Sequence, residues 1–196
     1  MLKLTFLLCN LFFAVTLLLA AEESDYVIDR KDLKEPLTAG DKLIISNPIG
    51  DIRLRGGGND VLEVHAVIQN LMKDTPMPEM NLKREGKTLT LTTSFTQNPQ
   101  GKQDRIDLVA FVPEKIVTQV ETTFGEIEIK GLKDDISAAS QRGKITIKSV
   151  MGHVEARNDS GSISVELLPE VTSLPQDFVT TTGDISLFFS EGIDAN

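Results

Sequence analysis

The chain has 196 residues, with 20 Lys+Arg against 29 Asp+Glu, a formal net charge of -9, and 40% hydrophobic residues. That length suits one domain or two small ones, and the apolar content can build a sizeable core, which argues against global disorder. The acidic balance argues against a nucleic-acid binder, the single cysteine against a disulfide framework or a cysteine-rich zinc site, and the absence of Trp with one Tyr against stacking platforms for bases or sugars.

Residues 1–20 differ from the rest of the chain. Lys3 precedes an apolar stretch from Leu4 to Leu19, diluted by Thr5, Asn10 and Thr16, and then come Ala20-Ala21 and the polar run Glu22-Glu23-Ser24-Asp25. This is the layout of a secretory signal peptide. The apolar run is short for the roughly 20 residues of a membrane-spanning helix, so cleavage is expected rather than retention as an anchor. Cys9 lies inside the run behind Leu8, where a lipidation site needs a small residue, and is expected to leave with the signal. Residues 21–196 are then one exported domain without cysteine, stabilised by packing and backbone pairing alone.

No amphipathic helix is expected in that domain. Period-2 alternation predicts strands at Lys42–Ser46, Ile52–Arg55, Leu62–Ile68, Met80–Lys83, Thr88–Ser94 and Ile106–Val112. A regular series comes next. Gly125-Glu126-Ile127-Glu128-Ile129-Lys130 recurs at Gly143, Gly161 and Gly183, the last after a longer gap that holds a looped Pro169–Pro175 insertion, and Gly50-Asp51-Ile52 is an earlier copy. A second strand lies between the glycines: Asp135–Ala139 aligns with His153–Arg157, and Asp60–Val64 is its expected counterpart after Gly50.

Such a unit cannot bury its own apolar face, but a stack of units can. The expected fold is therefore all-β, a parallel β-helix or β-solenoid of two-strand coils. Ile127, Ile145, Ile163 and Ile185 would form one inward column and Ile129, Ile147, Val165 and Leu187 another, with Ile136 over Val154 and Ala138 over Ala156 opposite. The repeated glycine is expected at a corner that needs positive φ or close backbone approach. Three residues before each glycine stands Thr122, Ser140, Asn158 or Thr180, which reads as a structural hydrogen-bonding ladder rather than a row of nucleophiles. Tyr26–Pro36 and Phe188–Asn196 are candidate caps.

The residues that carry this pattern resemble a known family. Ile45-Ser46-Asn47-Pro48-Ile49-Gly50-Asp51-Ile52, the strand Val61–Ala66, Gly86-Lys87-Thr88-Leu89-Thr90-Leu91, Arg105-Ile106-Asp107-Leu108 running into Val112-Pro113, and the Gly-x-Ile units from Gly125 onward resemble the bacterial DUF4097-type "putative adhesin" proteins over most of residues 40–190. The resemblance implies an exported β-solenoid with a surface or envelope role, and it brings no catalytic residues. Leu71–Glu79, with Pro76 and Pro78, departs from the pattern as an inserted loop.

Familiar catalytic signatures are missing: there is no P-loop, Gly-x-Ser-x-Gly or His-Glu-x-x-His. Gly56-Gly57-Gly58-Asn59-Asp60 lacks the Lys-Ser/Thr of a phosphate cradle and reads as a tight turn. Asp134-Asp135 and Asn158-Asp159 read as ordinary turns rather than calcium contacts. His65, facing outward with Glu63, and His153 stand apart in sequence and are not expected as metal ligands. No catalytic, cofactor or metal residue is assigned, no cofactor is expected, and any ligand-binding residues are left open.

The expected function is a non-enzymatic, adhesin-like binding module, exported to the periplasm, outer surface or medium, with a protein or polysaccharide partner and no nucleic acid. The alternatives are an envelope scaffold or stress-associated protein with a protein partner, and a β-helix carbohydrate-active enzyme. The last needs carboxylates clustered in one groove.

Overall fold

The computed structural model describes residues 26–71, 75–96, 104–169 and 175–189. The expected signal peptide and its cleavage site lie outside those residues. The described residues are all-β. The first elements are β1 (Val27–Pro36), β2 (Lys42–Ser46), β3 (Ile52–Gly56), β4 (Val61–Asn70), β5 (Glu79–Glu85), β6 (Thr88–Ser94) and β7 (Arg105–Val112). The series continues with β8 (Val117–Phe124), β9 (Ile127–Lys130), β10 (Ile136–Arg142), β11 (Ile145–Val150), β12 (Val154–Ser160), β13 (Ile163–Leu167), β14 (Asp177–Thr182) and β15 (Ile185–Phe189).

Two large sheets share one core. The first is 8-stranded in the order β1-β4-β7-β3-β9-β11-β13-β15, and the second is 7-stranded in the order β14-β12-β10-β8-β2-β6-β5. Successive strands of the C-terminal half alternate between the sheets, and each pairs in parallel with the strand one repeat away. Ile145 lies between Ile127 and Ile163, and Ile147 between Ile129 and Val165. On the other wall Ala138 lies between Val120 and Ala156. Ile of the first sheet and Val120, Ile136, Ala138, Val154 and Ala156 of the second are buried in one shared core cluster. Burial of each Ile contributes about 1.5–3 kcal/mol.

Both columns run further than the repeat suggested. Ile52 joins Ile127 to Leu108, and Leu54 joins Ile129 to Ala110. Each column also ends differently from expectation. Ile185 and Leu187 stand in register with Ile163 and Val165, yet each is 42% exposed. They are the last members of their columns, so nothing among the described residues covers them.

The expected counterpart strand at Asp60–Val64 is corrected by the pairing. It belongs to β4, which runs antiparallel to β7 and β1 in the first sheet. The strand opposite β3 is β2, which precedes Gly50 rather than coming after it. The β6–β7 pair stacks on the far side of β2–β3, so the first two units are swapped in space relative to the sequence. Leu62, Val64, Ala66 and Ile68 of β4 are buried while Glu63, His65 and Val67 turn away from the core, as their alternation predicts. Antiparallel β1 and β5 close this end of the two sheets, so Tyr26–Pro36 lies at an edge as expected.

The glycine corner satisfies both expectations made for it. Gly143, Gly161 and Gly183 have φ of 148°, 135° and 141°. A Cβ on Gly143 would lie 1.9 Å from the Gly125 carbonyl oxygen, and one on Gly125 would lie 2.0 Å from that of Gly50. The same carbonyls receive the polar ladder. Thr122 Oγ1 donates to Gly50 O at 3.4 Å, Ser140 Oγ to Gly125 O at 3.2 Å, and Thr180 Oγ1 to Gly161 O at 3.2 Å, while Asn158 Nδ2 donates to Gly143 O. Each rung therefore fastens its unit to the neighbouring one. Asn47, three residues before Gly50, is a further rung: its Nδ2 donates to Ile106 O at 2.8 Å, and its Oδ1 accepts from Thr93 Oγ1 at 2.6 Å. Ser140→Ala should cost about 1 kcal/mol in a denaturant titration.

The turn before β2 is held by a carboxylate. Asp41 Oδ2 accepts from the Thr38 backbone amide at 3.0 Å and from its hydroxyl at 3.2 Å, with Arg84 Nη1 at 3.8 Å. The backbone hydrogen bond, then the hydroxyl and the cations, hold Asp41 below the ordinary carboxylate value of 3.8, against the opposing effect of burial. Its stabilising contribution is complete above the unfolded value and is lost as pH falls through the lower folded value. Asp41→Asn should lose less stability than the wild type across that acid window, measured by melts at successive pH.

Candidate functional site

The outer face of the second sheet is built by residues that alternate with the core. Glu121, Ala139 and Arg157 stand side by side in register on β8, β10 and β12, each next in sequence to a buried Val120, Ala138 or Ala156. Ala139 is the small member of that row, and the gap it leaves opens a groove of about 370 Å³. Ser46, Pro48, Thr123, Gln141 and Asp159 complete its walls, with Thr122, Ser140 and Asn158 of the ladder beneath. The volume falls within the range of small-ligand sites, although the lining is more polar than most.

Arg157 is held on two sides. Its Nε donates to Glu155 Oε1 at 2.6 Å and its Nη2 to Asp177 Oδ2 at 2.6 Å. The hydrogen bond to Glu155, then the charges of Asp177 and Glu155, raise its pKa above the ordinary guanidinium value. Arg157 is thus a fixed cation at the rim. Glu121 and Asp159 are exposed carboxylates on strands separated by β10 and offset by two residues along them, so their backbones stand about 12 Å apart. The groove offers hydroxyl, amide, carboxylate and guanidinium contacts to a polar ligand.

Asn158 carries an imperfection. It is 4% exposed, its Nδ2 serves the ladder, and its Oδ1 is buried without a hydrogen-bond partner. Thr at this position would keep the rung, as at Thr122 and Thr180, and remove the orphaned acceptor. Asn158→Thr should therefore stabilise the fold by about 1 kcal/mol, read as a raised melting temperature.

The other residues singled out in the sequence are dispersed. His65 Nδ1 lies 2.8 Å from Asp32 Oδ1, and its Nε2 lies 3.4 Å from Glu63 Oε1, on the first sheet's outer face. The His153 ring meets the Pro175 carbonyl, and its amide donates to Asp135 Oδ1 at 3.1 Å. Asp134 Oδ1 accepts from the Asp135 amide at 2.9 Å, a local turn contact. Asn158-Asp159 is not a turn but lies within β12, with Asn158 facing the core because it is a rung. Gly57 has φ of 113°, and Gly58 N donates to Val112 O at 3.0 Å, so the glycine run is a tight turn pinned to β7. Among the described residues there is no cluster of three or more His, Cys, Asp or Glu fit to hold a metal, and no helix long and apolar enough to cross a membrane. The groove was not anticipated. Its one sequence signal was Ala139 standing where the aligned repeats carry Glu121 and Arg157.

The fold defines an all-β protein of two broad sheets without a closed barrel. A solved structure of a "putative cell adhesion protein" from Clostridium sporogenes shares it, with a TM-score of 0.52 and 12% identity over 83% of this chain and 100% of that one. Two further structures align more loosely. One is a "putative adhesin" from Bacteroides fragilis, with a TM-score of 0.27 and 13% identity over 81% of this chain and 97% of that one. The other is a "putative lipid binding protein" from Parabacteroides distasonis, with a TM-score of 0.28 and 8% identity over 83% and 97%. At 12% identity the likeness to the Clostridium sporogenes structure speaks for the fold. No family model and no curated protein matches the chain.

Proposed function

We propose that the chain is an exported, non-enzymatic binding module of the cell surface or envelope, adhesin-like in the DUF4097 sense, with residues 1–20 removed as a signal peptide. In this reading residues 21–196 form a single β-solenoid, in which each unit is one coil running from the second sheet through the glycine corner to the first. The parallel in-register pairing and the glycine column support it. The observation that carries the function is the polar outer face of the second sheet, with its groove around Ala139. A flat β face with a rigid hydrogen-bonding depression suits an extended polar partner, a polysaccharide or a protein segment laid across the strands. A solved-structure neighbour named for cell adhesion points the same way.

The test is saturable binding of labelled protein to surface polysaccharides and to envelope fractions. Ala139→Tyr fills the groove from the outer face. It should weaken binding about tenfold or more, while Thr146→Tyr on the opposite face should not. Equal loss in both variants, or no saturable binding to any fraction, would sink the proposal.

A further inference from the structure

The two ends of the paired sheets are unlike. At one end antiparallel β1 and β5 carry the edges, with Asp29, Arg30, Lys31 and Asp32 on the first and Lys83, Arg84 and Glu85 on the second. Edges of this kind resist further pairing. At the other end β14 and β15 present parallel edges that no other described strand pairs with. Ile185 and Leu187 are each 42% exposed and Phe189 54%, although Ile163 and Val165 in the same columns are 0% exposed. This is core surface left at the end of a column, larger and more regular than isolated apolar residues on a surface.

We propose that this end is the interface of a symmetric dimer of this chain, joined tail to tail. Head-to-tail stacking is disfavoured because the opposite end is charged and antiparallel. A two-fold axis normal to the sheets would set β15 antiparallel to the second copy's β15 and, at the same time, β14 antiparallel to the second copy's β14. Both sheets continue across the axis, and each open apolar column meets its own copy. The charges permit this. Any charge near a two-fold axis meets its own sign, and neither Ile185–Phe189 nor Phe178–Thr182 contains a charged residue. Asp177, at the margin, is already paired with Arg157 at 2.6 Å. A closed two-fold contact also consumes both open edges, so assembly stops at two copies.

The test uses the chain produced from its whole sequence and purified as the cell leaves it, studied by sedimentation velocity across the micromolar range. A particle of twice the chain mass is expected. Phe188→Lys and Ser186→Lys lie on the outer face of β15 and leave the core columns intact. Each should raise the dimer dissociation constant about tenfold or more by placing like charges across the axis, with circular dichroism unchanged. A monomer at every concentration, assemblies larger than two, or a dimer indifferent to both variants would overturn the proposal. So would a monomer that dimerises only when residues 190–196 are deleted, since that segment would then be the cover.

Discussion

Ile147→Asp is expected to unfold the chain under conditions where the wild type is fully folded. Ile147 is 0% exposed and lies between Ile129 and Val165 in the column, so a carboxylate there would enter a wall of Ile and Val. Among the buried residues nearby, none offers a cation. The variant loses the apolar burial of the side chain and must either bury an unpaired charge or open the stack to water. Together these exceed about 4–5 kcal/mol, the largest class of single-residue effect and a large share of the total stability of a domain this size. Thr146→Lys, one residue away on the outer face and in register with Glu128, should change stability by less than about 1 kcal/mol. Thermal and denaturant melts followed by far-ultraviolet circular dichroism read both variants. A melting temperature for Ile147→Asp equal to that of the wild type would refute the inward column.

Gly143→Ala carries the second-largest expected loss, about 3 kcal/mol or more. Two costs act together. The residue must hold φ of 148°, which is strained for any side chain, and its Cβ would lie 1.9 Å from the Gly125 carbonyl oxygen. Relief requires the neighbouring corner to move, and Ser140 is bonded to that same oxygen at 3.2 Å. The two costs can be separated. Gly125 meets Gly50 O at 2.0 Å without a positive φ, whereas Gly86 has φ of 58° with nothing within 4 Å. Gly125→Ala should therefore be costly through the close approach, and Gly86→Ala should cost only the strain of the left-handed region, about 1 kcal/mol. Equal losses for both would remove the close approach from the account.

The contrast explains which parts of the molecule are legible in the sequence. The C-terminal strands repeat, and side chains on a strand alternate between two faces, so Ile127, Ile145 and Ile163 announced their column without help from distant residues. The ladder was legible for the same reason, since Ser140 and Asn158 recur at a fixed offset from the corner glycine. The N-terminal half has no such repetition. Nothing in Asp60–Val64 says whether it pairs across the core or within the sheet of β3. The answer came from β1 and β7, distant in sequence, which take β4 as an antiparallel neighbour. The swap of the β6–β7 unit past β2–β3 is likewise a decision made by long-range pairing. The exposure of Ile185 and Leu187 was also hidden, because their sequence matches Ile163 and Val165 and only position in the stack distinguishes them. The groove depends on a residue being small where its row neighbours are large, a signal that appears once register aligns Ala139 with Glu121 and Arg157.

The central claim is that consecutive units stack in parallel, residue over residue. Engineered cysteines at Thr146 and Ser164, outer-face partners in register, test it most directly in a Cys9→Ser background. Parallel neighbours place these positions about 4.8 Å apart, within the span a disulfide bridges, whereas Thr146 and Ser162 are offset by two residues along the strand and lie about 8 Å apart. Mild oxidation is predicted to cross-link the 146–164 pair and leave the 146–162 pair reduced. Cross-linking of 146–162 with 146–164 left open would contradict the register on which the whole stack depends.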